Sequence, residues 1–63
     1  LRKFNLSSKN LDRANLSQTN LAGTDLTGAK LTRADLTRAD LASADLTEAN
    51  LEAARLSEAD TAD

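Results

Sequence analysis

Residues 31–46, LTRADLTRADLASADL, carry a leucine at every fifth position and an Ala-Asp pair before each of the last three leucines. The register runs unbroken through Leu6, Leu11, Leu16, Leu21, Leu26, Leu31, Leu36, Leu41, Leu46, Leu51 and Leu56, with Leu1 one step earlier. An α-helix turns about 100° per residue, so a five-residue step rotates each leucine by about 140° and scatters them round the axis. A strand alternates faces, so an odd step sends successive leucines to opposite sides. Neither element buries all of them together.

The slot two residues before each leucine resolves the conflict. It holds Ala14, Ala29, Ala34, Ala39, Ala44, Ala49, Ala54 and Ala59, with Thr19 and Thr24 in the same register. Residues two apart on extended backbone share a face. Each unit therefore points a small residue and a leucine inward and turns a corner before the next. Corners taken in one sense close into a coil, and stacked coils make a solenoid with one continuous core. The slot after each leucine holds alanine only at Ala22, Ala42 and Ala62, twenty residues apart, which gives four units per coil.

The run of A-(D/N)-L-X-X units, here ANLSQ, ADLTR, ADLAS and ANLEA, resembles the pentapeptide-repeat proteins over nearly the whole chain. The resemblance implies an all-β fold: a right-handed quadrilateral β-helix, about three coils of four pentapeptides, with the leucine and alanine slots inside. The departures lie at the ends. Phe4 and Lys9 occupy alanine slots, and Thr61 stands where a leucine is due. A lysine is not buried without a partner, so the first coil must be frayed or open enough for Lys9 to reach solvent.

At twenty residues per coil, only the middle of three coils is covered on both sides. Such a stack is marginal alone, and solenoids use capping elements. No cap or Pro- or Gly-rich linker is visible, so residues 1–63 read as one solenoid unit taken from a longer chain. No stretch resembles a signal peptide or membrane span, and the cytoplasm is the default compartment.

The chemistry is sparse. The chain has no His, Cys, Met, Trp, Tyr or Pro. The usual general base, activated thiol and soft metal ligands are therefore missing. Carboxylates are present, but acid–base work needs a cleft, which a filled solenoid does not offer. We expect no catalytic, cofactor or metal site and no small-molecule substrate.

The slot before each leucine is Asn or Asp in ten of twelve units: Asn5, Asn10, Asn15, Asn20, Asp25, Asp35, Asp40, Asp45, Asn50 and Asp60, with Lys30 and Arg55 the exceptions. Short Asx side chains bond nearby backbone and hold corners, and Asn does this as well as Asp. The resemblance implies a second role, since some family members imitate DNA phosphates and bind gyrase-type topoisomerases. Three coils stand roughly 14 Å tall. Duplex DNA of that length carries about eight negative charges, whereas this chain has a net charge of −2. Arg33, Arg38 and Arg55 are expected to interrupt the acidic surface. The balance is plus three over residues 1–31 and minus five over 32–63, so the two ends of the axis differ in sign.

Two other surfaces stand out. Ala22, Ala42 and Ala62, with the acidic slots Asp25, Asp40, Asp45 and Asp60, form the candidate interaction surface. Ser7, Thr27 and Thr47, like Ser17, Thr37 and Ser57, stack as short hydroxyl ladders. The residues point to a non-enzymatic structural or protein-interaction module that binds a protein or self-associates through its ends, not nucleic acid. The alternative is a DNA-mimic inhibitor or protector of a topoisomerase.

Overall fold

The computed structural model describes residues 4–62; Leu1, Arg2, Lys3 and Asp63 lie outside them. The backbone builds a β-helix from one repeated motif. In the unit 30–34, the Leu31 amide donates to the Asn50 carbonyl at 2.8 Å, Arg33 donates to Glu52 at 2.9 Å, and Lys30 donates to Lys9 at 2.8 Å. The Ala34 amide closes a turn onto the Leu31 carbonyl at 3.0 Å. Rungs are single bridging pairs rather than long strands. The eight among the described residues are all parallel and join residues twenty apart, from Asn5 with Asp25 to Asp40 with Asp60.

The corner is a tight turn in which the second residue after each leucine from Leu6 to Leu56 has positive φ. These are Ser8, Arg13, Gln18, Gly23, Gly28, Arg33, Arg38, Ser43, Glu48, Ala53 and Glu58, with φ from 58° to 72°. Positive φ at the second central residue alone, closed by a bond from the alanine-slot amide to the leucine carbonyl, is the pattern of a type II turn. Nine of these residues are not glycine. Each holds a left-handed conformation that costs roughly 1–2 kcal/mol, and the ladder bonds on either side offset it.

Inside, Leu26, Leu31, Leu36, Ala29 and Ala34 are fully buried, with Leu21, Leu41 and Ala39 nearly so. Each buried leucine contributes about 1.5–3 kcal/mol. Leu6, Leu11, Leu16, Leu46 and Leu51 are half-buried, as are Ala14, Ala44, Ala49, Ala54 and Ala59. Leu56 departs from its expected place in the core at 40% exposed; Phe4, in the first alanine slot, is 50% exposed. The end coils have a neighbour on one side only, so their inward residues keep contact with water. Of the expectation that the first coil is frayed or open enough for Lys9 to reach solvent, the second half holds and the first does not. The Lys9 carbonyl accepts the Lys30 amide and its own amide bonds Leu6, so the backbone stays in the ladder while the side chain is exposed.

Among the described residues, one polar side chain sits in the core. Thr24 is fully buried, and its hydroxyl has no hydrogen-bond partner.

Candidate interaction surface

With inward slots filled by Leu and Ala, function must reside in three outward slots per unit: the residue before each leucine and the two after it. The ladder stacks residues twenty apart, so each slot becomes a short column up the outside.

The Asx slot is a backbone device. In all ten units that have Asn or Asp there, its Oδ1 accepts the amide hydrogen two residues on, at 3.0–3.1 Å. Asn5, Asn10, Asn15, Asn20 and Asn50 do this as well as Asp25, Asp35, Asp40, Asp45 and Asp60, so the bond does not require the charge. The hydroxyls of Ser7, Ser17, Thr27, Thr37 and Thr47 donate to the same oxygens at 2.6–2.7 Å. Their protons are committed within their own units, and these ladders are not arrays of free donors.

Asp35 carries the clearest electrostatic consequence. The hydrogen bonds from the Thr37 hydroxyl and then its amide hold its carboxyl below the ordinary value of 3.8 against opposing desolvation, with a lesser contribution from Arg55 on the next rung. The Arg38 Nε to Glu58 Oε1 pair, at 2.8 Å, also joins neighbouring rungs. Both side chains are well exposed, so the pair contributes about 0–1 kcal/mol.

The seven residues of the candidate surface come together. Ala22, Ala42 and Ala62 form one column, since Gly23 donates to the Ala42 carbonyl at 2.9 Å and Ser43 to that of Ala62 at 2.8 Å. Asp40 bridges to Asp60 on one flank of that column, and Asp25 bridges to Asp45 on the other. All lie on the stacked segments 20–28, 40–48 and 60–62. These segments carry five carboxylates, Glu48 being the fifth, and no Lys or Arg. The other described segments carry Lys9, Arg13, Lys30, Arg33, Arg38 and Arg55 against Asp12, Asp35, Glu52 and Glu58. The balance is therefore minus five on one half of the circumference, about two pentapeptide units wide, and plus two on the other half.

The expectation that Arg33, Arg38 and Arg55 interrupt the acidic surface holds for two of them: Arg55 bridges Asp35 in the Asx slot, and Arg38 pairs with Glu58. None of the three falls within segments 20–28, 40–48 and 60–62. Glu48 was missed as part of this surface, although writing the sequence in rows of twenty would have exposed it. No cavity and no cluster able to hold a metal ion occurs among the described residues. No helix among them is long and apolar enough to cross a membrane.

Comparison with known proteins bears on these features. A family model described as Pentapeptide repeats matches with eight copies, over residues 1–33, 10–47 and 34–60. A solved structure of a pentapeptide repeat protein from the cyanobacterium Cyanothece 51142 is 42% identical, with a TM-score of 0.89 over 90% of this chain. The match covers 39% of that chain, so the present sequence spans well under half of its length. No curated protein matches.

Proposed function

Because the chain belongs to the pentapeptide-repeat family, we propose that it works as a rigid, non-enzymatic protein-interaction scaffold. On this reading residues 1–63 form a single right-handed, four-sided solenoid of about three coils, and its outward columns present fixed side chains to a protein partner. The carrying observation is the use of the repeat's polar slots. Ten Asx side chains bond backbone two residues on, so the residues that give the repeat its polar signature hold its corners. What remains is a surface of set spacing, suited to recognition rather than to bond making.

A second reading has one specific observation in its favour. Segregation of charge gives the half of the circumference built from residues 20–28, 40–48 and 60–62 a balance of minus five, nearer than the net charge to the roughly eight phosphate charges on 14 Å of duplex DNA. That side is where a topoisomerase would bind a DNA mimic.

A supercoiling assay with a gyrase-type topoisomerase separates the two. The scaffold reading predicts no inhibition at micromolar concentration. Salt-sensitive inhibition that disappears in the triple variant Asp40→Asn, Asp45→Asn, Asp60→Asn would replace it with mimicry. Asn keeps the turn bond, as Asn50 does with Glu52, so the variant removes charge without removing the corner.

A further inference from the structure

The side opposite in sign to the carboxylates has a feature that the sequence order hides. Arg13 and Arg33 occupy the same slot on neighbouring rungs, tied by the Arg13 amide to the Thr32 carbonyl at 2.8 Å. Rungs in a β-ladder lie about 4.8 Å apart. Lys30 and Lys9 are joined at the preceding corner by their backbone bond. All four side chains are exposed, and none forms an ion pair among the described residues. Four cations are thus held on one side, two of them stacked at the rung spacing.

On the other side Asp40 and Asp60 are stacked at that same spacing. Each uses Oδ1 for its own turn, and Oδ2 takes no hydrogen bond among the described residues. The column on one flank is Ala22, Ala42 and Ala62, with Gly23 and Ser43 next in line, so no long side chain blocks an arginine approaching from that flank; the other flank carries the exposed Arg38–Glu58 pair, whose charges offset each other. Both surfaces are generated by one ladder, so their spacings match.

We propose that the Arg13–Arg33 side of one molecule docks laterally onto the Asp40–Asp60 side of a second copy, the stacked guanidiniums meeting the stacked carboxylates. The contact joins unlike surfaces, so it is heterologous and leaves one free surface of each kind at the two outer faces of the pair. It differs from association through the ends of the axis, which would use the open rims of the ladder. The inference rests on the protein-interaction reading and names its partner.

Sedimentation of the whole chain at low and high ionic strength, with two double variants, tests it. The Debye length falls from about 30 Å at 0.01 M salt to about 3 Å at 1 M, so the parent should associate at low salt and become monomeric at high salt. Arg13→Gln with Arg33→Gln should be monomeric at low salt, and so should Asp40→Asn with Asp60→Asn. Mixed together, the two variants should form a one-to-one complex, because each retains the surface the other lacks. A monomeric parent at low salt, continued association of either variant alone, or a mixture that stays monomeric would each overturn the proposal. None of those results would bear on the topoisomerase assay, so this inference and the scaffold reading fail separately.

Discussion

Lys30 and Asn50 face each other across one parallel bridge, yet only Asn50 secures the turn that follows it. Its Oδ1 accepts the Glu52 amide at 3.0 Å, whereas the equivalent Thr32 amide has no side-chain acceptor because lysine offers none. Lys30→Asn should supply the missing bond and stabilise the chain by about 1 kcal/mol. A urea denaturation midpoint that stayed put or fell would count against the corner-holding role of this slot.

The positive φ after every leucine gives a paired prediction. Gly28 has φ +67°, and an added Cβ would meet the Ser8 Oγ at an ordinary 3.5 Å. The cost of Gly28→Ala is therefore conformational rather than steric, about 1 kcal/mol of destabilisation. Ala53, at φ 59°, should respond in the opposite direction, Ala53→Gly gaining up to about 1 kcal/mol. Thermal melts of the two variants should move apart from the parent.

Thr24 presents the reverse problem, a buried hydroxyl with nothing to bond. Replacement by valine keeps the branched shape and removes the unsatisfied group. Thr24→Val should stabilise by about 1–3 kcal/mol. Loss of stability would mean that the hydroxyl has a partner, such as a trapped water.

Leu36 is fully buried between neighbouring coils. Leu36→Asp puts an unpaired carboxylate into the core, where it finds neither water nor a counter-charge. The β circular dichroism of the chain should be lost. Retention of the spectrum and of the melting point would place Leu36 outside the core.

Acid should weaken the fold in part through Asp35. Its carboxyl is held below its ordinary value by the Thr37 hydrogen bonds and then by Arg55. A depressed folded value means that the contribution is fully present above the unfolded pKa of about 3.8 and is lost as pH falls through the lower folded value. Asp35→Asn should therefore lower stability at neutral pH by that contribution and converge with the parent in acid, which flattens the acid limb of the stability profile. An unaltered acid limb would show that Asp35 is not among the groups responsible.

Much of this was legible in the sequence because the repeat is strict. Leucine at every fifth residue excludes helix and strand alike, and the alanine slot shows which two residues of each unit share a face. The spacing of Ala22, Ala42 and Ala62 already carried the offset of twenty that the bridges display. The positive φ was not legible, since Arg, Glu, Gln, Ser and Ala fill a slot where glycine or asparagine would signal a left-handed turn. The lateral division of charge was equally hidden. Net charge and halves of the chain average over it, and it emerges only when residues twenty apart are placed in columns.

Every surface column rests on that offset, so the most direct test is to trap it. The chain contains no cysteine, and Thr27 and Thr47 lie on adjacent rungs, with Gly28 donating to the Thr47 carbonyl at 2.8 Å. A rung spacing of about 4.8 Å lies within the usual Cα separation of a disulfide, about 4.4–6.8 Å. The double variant Thr27→Cys, Thr47→Cys should oxidise readily to an intramolecular disulfide under mild conditions, and Thr32→Cys, Thr47→Cys should not. Rapid closure of the second pair with failure of the first would contradict the ladder and the surfaces built on it.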